Sequence, residues 1–252
     1  ATVGGFVARD ASVRLKVDAG GLQIDKLAVA DLGGAAFSAS GRIVTTAPSP
    51  QGSINVDLNA PDMAPVVALV ARFAPATAQA LSRKTVAMAP AKLHAQLTID
   101  GATPAIAKVG VDGSLGKVRI ALNAQGHVQA SADWFPVTGN VRLDGKLEAD
   151  DGGTLLAMLG IDRALRADAG PGSMTLNVSG PAGGALRVDA RLSAKGLEAN
   201  ASGTARPFAG SPSASLRTSI VRANAAPLRG PNDGAAALPV TFEGRAVLAG
   251  DD

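Results

Sequence analysis

Apolar and polar residues alternate along this chain with few faults. Ser12–Asp18 places Val13, Leu15 and Val17 on one side and Arg14, Lys16 and Asp18 on the other, and Lys92–Asp100 repeats the pattern with Leu93, Ala95, Leu97 and Ile99. Successive side chains of an extended chain point to opposite faces, so period two means a strand with one apolar face. Further strands are predicted at Val3–Val7, Leu22–Val29, Ala35–Val44, Ser53–Asn59, Ile106–Val111, Val118–Leu122, Gly126–Ala132 and Gly139–Leu147. The pattern returns at Ser173–Val178, Leu186–Leu192, Leu197–Ala205, Ser215–Val221 and Leu238–Leu248. Turns such as Ala19-Gly20-Gly21 and Leu32-Gly33-Gly34 carry the glycines that tight hairpins need. Strands of about eight to ten residues span roughly 30 Å. The fold class that follows is mainly β, an extended and repeated antiparallel meander.

Twice a strand gives way to a short helix. After Ile54, Val56 and Leu58 come Asp62 at a cap position, Pro65 in the first turn, and the stripe Val66, Val67, Leu69, Val70 and Phe73. The stretch Lys146–Gly160 repeats this: Leu58 matches Leu147, Ala60 matches Ala149 and Asp62 matches Asp151, all offset by 89 residues (147 − 58). Helices are therefore predicted at about 62–73 and 152–166, with a weaker third joint at Ala225-Ala226-Pro227-Leu228. A glycine inside a strand recurs at Gly41, Gly126 and Gly203, spaced by 85 (126 − 41) and 77 (203 − 126) residues. The chain reads as one repetitive β-domain, 1–252, with units of approximately 1–90, 91–170 and 171–252.

Composition narrows the function. Aromatics make up 3% of the residues, with no Tyr and one Trp, in Trp134-Phe135-Pro136, so the apolar set is largely Ala, Val, Leu and Ile. The net charge is +3, from 24 Lys and Arg against 21 Asp and Glu, and the cations are scattered singly. A nucleic-acid surface needs clustered cations with stacking aromatics, which argues against nucleic acid as a partner. The absence of cysteine removes disulfides, thiol nucleophiles and thiolate metal sites. The most apolar run, Met63–Leu81, is broken by Pro65, Arg72 and Pro75 and does not read as a membrane span. With no signal peptide and an Ala at the start, the chain reads as an internal fragment of a longer protein.

No constellation points to catalysis. His94 and His127 take polar slots of alternating strands, with no carboxylate at ligand spacing in the sequence. Gly113-Ser114-Leu115-Gly116-Lys117 resembles a phosphate loop only in part, because Val111 and Val118 stand where Gly and Ser or Thr are required; it reads as a hairpin turn. Asp150-Asp151-Gly152-Gly153 lacks the alternating oxygen ligands of a calcium loop, and Asp151 reads as a helix cap. Asn177-Val178-Ser179 and Asn200-Ala201-Ser202 spell glycosylation sites by composition alone. The sequence predicts no enzyme, no metal and no cofactor.

A closed β-sandwich fills its core with bulky, interdigitating side chains. An Ala/Val/Leu lining is suited instead to an open apolar channel, and an outer-membrane barrel would need aromatic girdles. The strand ending at Leu58 with its helix to Val70, the second copy from Leu147 to Leu159, the Ser40-Gly41-Arg42 strand and the run Leu27–Gly34 before Phe37 resemble the repeat of AsmA-like proteins. That family is similar to TamB and chorein-type lipid bridges. The resemblance implies a meander curling into a half-open gutter, and a periplasmic protein held to the inner membrane by an anchor helix outside this segment. It also implies non-catalytic phospholipid transfer supporting outer-membrane biogenesis, with lipid acyl chains as partners. The expected groove lining is Val13, Leu15, Val17, Ile54, Val56 and Leu58, then Leu93, Leu97, Ile99, Val118, Ile120 and Leu122. It continues with Val141, Leu143, Leu176, Val178, Leu186 and Val188. The alternative is a structural or adhesive β-repeat of a secreted or cell-surface protein, its apolar core closed.

Overall fold

A computed structural model describes residues 2–3, 6–18, 20–44, 49–71, 75–82, 85–128, 137–163, 165–206, 213–222 and 242–249. The chain is mainly β and divides into two compact units, Ala1–Val137 and Thr138–Asp252. That division falls inside the second of the three repeat units read from the sequence.

The first unit holds β1 (Thr2–Val3), β2 (Phe6–Asp18), β3 (Gly21–Leu32), β4 (Ala35–Val44) and β5 (Gln51–Ala60). Three short helices follow, α1 (Ala64–Val70), α2 (Pro75–Ser82) and α3 (Thr85–Met88), and then β6 (Ala91–Asp100), β7 (Ala105–Leu115) and β8 (Val118–Val128). Every strand pairs antiparallel with its neighbours in sequence, and among the described residues no pairing joins β8 back to β2. The sheet is an open meander, not a barrel. The two stretches expected as separate strands, Val118–Leu122 and the start of Gly126–Ala132, form the single strand β8.

Turn chemistry sets the hairpins. Asp31 accepts the Gly34 N–H at 2.6 Å, which holds the β3–β4 turn. The Gly116 N–H is shared between the Met88 and Pro90 carbonyls at 3.0 and 2.9 Å, tying the β7–β8 turn to the end of α3. Within β4, Gly41 has φ +148°, and a Cβ there would run into the Ser53 carbonyl oxygen of β5. Only glycine lets two strands approach so closely at this point.

Two buried clusters sit at opposite ends of the first unit's strands. At the helical end Ala35, Ala60, Met63, Met88 and Ala91 pack together, with Leu58, Val66, Leu81 and Leu115 against them. At the other end Ile43, Ile99, Ala105 and Val128 form a second cluster. Gly52 lies between Ile43 and Ile99 in the cross-strand register, and its missing side chain lets β4 and β6 contribute to one cluster.

The second unit holds β9 (Val137–Ala149), α4 (Gly152–Leu159), β10 (Gly172–Pro181), β11 (Leu186–Ala194), β12 (Leu197–Arg206), β13 (Ser213–Arg222) and β14 (Phe242–Ala249). It too is an antiparallel meander in sequence order. Leu155 and Leu156 of α4 are buried, and the Gly152 N–H donates to the Gly170 carbonyl at 2.7 Å. A Cβ on Gly172 would lie 2.8 Å from the Gly152 Cα, so the two glycines let the helix start against the strand.

Both predicted helices are shorter than expected. The first is Ala64–Val70 rather than 62–73, and its N-cap is Met63, not Asp62. Asp62 stands one residue too early and accepts the Ala64 N–H at 2.9 Å instead. The second ends at Leu159 rather than near residue 166, because Gly160 adopts φ +77°. Its N–H donates to the Ala157 carbonyl and that of Ile161 to the Leu156 carbonyl, the paired bonds of a left-handed C-terminal stop. Asp151 caps as read from the sequence, accepting the Thr154 N–H at 2.9 Å and its hydroxyl at 3.0 Å. Asp151→Ala is expected to lower the stability of the second unit by about 1 kcal/mol, measured by denaturant titration. Asp151→Asn, which keeps an acceptor, should recover most of that loss. The third helical joint at 225–228 and the Trp134-Phe135-Pro136 cluster lie outside the described residues.

Candidate functional site

The registers assemble the alternating strands into rows. In the first unit one row runs Val13, Leu27, Ala39, Val56, Ala95, Val111, Leu122 across β2 to β8. Its neighbour runs Leu15, Ile24, Gly41, Ile54, Leu97, Val109, Ala124. A third runs Ala11, Val29, Phe37, Leu58, Leu93, Gly113, Ile120, and a fourth Val17, Leu22, Ile43, Gly52, Ile99, Ala107, Gly126. Every position in these four rows is apolar or glycine. With strands about 4.8 Å apart, each row of seven strands extends over about 29 Å. A bulge in β3 around Asp25, between Ile24 and Leu27 and opposite Arg14 and Leu15 of β2, keeps the rows in phase.

The second unit builds its own face. One row is Leu147, Met174, Leu192, Ala199, Ile220, and another Leu143, Val178, Val188, Gly203, Leu216. Between them, Gly145, Leu176, Ala190 and Ala201 lead to Thr218, a polar interruption. A Cβ on Gly203 would run into the Ser215 carbonyl, so this strand-internal glycine serves the same close approach as Gly41.

Each of the groove residues expected from the sequence falls on the apolar face of its unit, but they differ in exposure. Ile54, Val56, Leu58, Leu93, Leu97, Leu122, Val141, Leu143, Leu176, Val178 and Val188 are half-buried. Val13, Leu15 and Val17 on β2 are 60%, 52% and 69% exposed. Ile99, Val118, Ile120 and Leu186 are buried and cannot line an accessible groove. Ile99 is locked into the cluster with Ile43 and Val128. Val118 pairs with Leu115, which packs on the helical-end cluster. Ile120 lies opposite Gly113 in the register, and Leu186 sits beside Gly180, so each has room to fold onto the sheet. Sequence reasoning left out Leu27, Ala39, Ala95, Val109, Val111 and Ala124, which share these rows. The Ala107, Val109, Val111 alternation was visible, while the β3 bulge hid the phase of Leu27.

The opposite face is mostly polar, with Ala28, Ala36, Val44, Ile106 and Ala121 among its exceptions, and it brings together one pair that sequence spacing concealed. Asp57, His94 and Asp112 are successive partners across β5, β6 and β7. His94 Nδ1 lies 2.8 Å from Asp57 Oδ1, so this histidine does have a carboxylate partner, contrary to the sequence reading. The hydrogen bond to Asp57, helped by the charges of Asp57 and Asp112, raises the imidazole pKa above its ordinary value. A raised folded-state pKa means that the pair favours folding fully below the unfolded imidazole value of about 6.5 and loses that contribution as pH rises through the raised value. In an NMR titration His94 is expected to titrate above about 6.5 and to return toward that value in Asp57→Asn; an unchanged midpoint would remove Asp57 as the cause. These residues line an open cleft of about 700 Å³ together with Lys26 and Lys92. His94 and Asp57 are both solvent-exposed, and among the described residues no third side chain is bonded to the pair to complete a nucleophile–base arrangement. Among the described residues no cluster of His, Asp or Glu is arranged to hold a metal ion.

Among the described residues, the geometry offers half-buried aliphatic rows, with packed clusters at the two strand ends of the first unit. Comparison with protein-family models, with curated proteins and with solved structures finds no match to this chain.

Proposed function

We propose that this chain binds lipid acyl chains along its apolar sheet faces and passes phospholipid across the bacterial periplasm without catalysis, in support of outer-membrane biogenesis. The observation that carries the reading is the row Val13 to Leu122: seven consecutive strands contribute only Ala, Val or Leu to it. Moving a methylene from water into apolar surroundings is worth about 0.8 kcal/mol. A half-open face captures part of that, so ten methylenes at half burial gain about 4 kcal/mol. That is enough to hold a chain and too little to trap it. Along the Val13–Leu122 row the Ala, Val and Leu side chains keep the gain nearly even, and an acyl chain can shift along it without crossing a polar or bulky barrier. The resemblance to AsmA-like repeats supports the periplasmic setting and an inner-membrane anchor outside this segment. No helix among the described residues is long and apolar enough to cross a membrane itself.

The test is native mass spectrometry of the purified chain with lipid extraction from the same sample. Phospholipid at a definite stoichiometry is the expected result. A lipid-free protein that leaves an apolar dye dark would instead favour a closed structural or adhesive β-repeat.

A further inference from the structure

In the second unit β11 is paired on both sides, by β10 and by β12, and the polar face there carries a cleft of about 470 Å³. Asn177, Asp189, Arg191, Glu198, Asn200 and Ser202 line it. These side chains form no hydrogen bond or ion pair with one another. Elsewhere opposite charges two residues apart on a strand do close, as in Lys16–Asp18, Arg142–Asp144 and Lys146–Glu148 at 2.9, 2.8 and 2.7 Å. Asp189 and Arg191 of β11 have the same spacing and stay apart, so the cleft presents donors and acceptors that no neighbouring side chain uses. Two polar rows cross this face from β9 to β13. One runs Lys146, Thr175, Arg191, Asn200, Ser219, and the other Asp144, Asn177, Asp189, Ser202, Arg217. Each row sets one hydrogen-bonding side chain on every strand, at the strand spacing of about 4.8 Å.

We infer that this face binds an extended, uncharged β-1,4-linked glycan chain lying across the strands. The charges select a neutral ligand. Arg191 has Asp189 two residues away on its own strand, and Glu198 stands two residues from its cross-strand partner Asn200. The two carboxylates disfavour a phosphate or other polyanion, and the guanidinium disfavours a metal cation. A hydroxyl group both donates and accepts, so a sugar can meet amide, carboxylate and guanidinium groups together. The rows select the linkage. An extended β-1,4 chain advances per sugar by nearly the spacing between strands, so successive rings face successive strands. An α-1,4 chain winds into a helix and loses that match. Side chains anchored on paired strands are also positioned before the ligand arrives, which lowers the ordering cost of binding.

The inference is independent of lipid binding, which uses the opposite face. It is tested by isothermal titration calorimetry of the whole chain with cellohexaose, chitohexaose and maltohexaose. At least one β-1,4 hexamer is expected to bind, with maltohexaose at least about tenfold weaker. Arg191→Ala and Asn200→Ala should each weaken that binding by about three- to tenfold, the loss of one hydrogen bond, with circular dichroism unchanged. In the wild-type chain the bound hexamer should shift the side-chain amide NMR signals of Asn177 and Asn200, leaving those of Asn55 and Asn123 in the first unit unmoved. Binding of no hexamer, equal binding of maltohexaose, affinity unchanged in both variants, or shifts at Asn55 and Asn123 alone would each overturn the inference. So would the same Asn177 and Asn200 shifts produced by calcium chloride, by inorganic phosphate, or by self-association as the chain is concentrated.

Discussion

Replacing Val56 and Leu143 together by aspartate is expected to strip co-purifying phospholipid from the chain while leaving its β-structure intact. Val56 sits mid-row between Ala39 and Ala95, and Leu143 is paired with Val178. Both are half-buried, so each carboxylate keeps access to water in the empty protein. An acyl chain lying over it would remove that water, and an unpaired carboxylate out of water costs several kcal/mol. That exceeds the roughly 4 kcal/mol available from ten half-buried methylenes. The small neighbours at Val56 keep the damage to folding low, and circular dichroism serves as the check. Lipid retained at the wild-type stoichiometry in a folded double variant would show that the acyl chains lie elsewhere. Because the two substitutions fall in separate compact units, the single variants report on each unit by itself.

The second large effect is on stability. Gly41→Ala is expected to destabilise the first unit by about 2–4 kcal/mol. Gly41 holds φ +148°, which a side chain disfavours, and its new Cβ would meet the Ser53 carbonyl and stand 2.6 Å from the Ile54 Cα. Both obstacles are backbone of the paired strand, so relief requires β4 and β5 to separate and weakens the ladder on either side. Gly183→Ala is the control: nothing lies within 4 Å of a Cβ there, and its effect should stay within about 0.5 kcal/mol. Chemical denaturation of the two variants distinguishes these outcomes, and equal midpoints would contradict the close-approach argument.

The strands were legible in the sequence because one physical rule governs each of them separately. Ala35–Val44 reads directly as β4, and Lys92–Asp100 as β6 with one more residue at its start. The apolar side of the regular strands was legible for the same reason, while the bulge in β3 hid the phase of Leu27. What the sequence withheld depends on neighbours across the sheet. Ile99 and Val56 alternate equally well, yet Ile99 is sealed by Ile43 and Val128 while Val56 stays half-open, and register alone decides which. The His94–Asp57 pair spans 37 residues and appears only once β5 lies beside β6. Helix length was partly a missed signal, since Gly160 is placed where a left-handed stop belongs and marks the end of α4 at Leu159. The one-residue shift of the first cap from Asp62 to Met63 has no such marker in the sequence.

The most direct measurement of the central claim uses a photo-reactive side chain placed in turn at positions 108, 109, 111 and 112 of β7, with phospholipid carried through purification. Val109 and Val111 belong to the apolar rows, whereas Lys108 and Asp112 belong to the polar face. Lipid cross-linking should be strong at 109 and 111 and absent at 108 and 112, a period of two matching the strand. Labelling that is uniform, absent throughout, or confined to 108 and 112 would contradict the account.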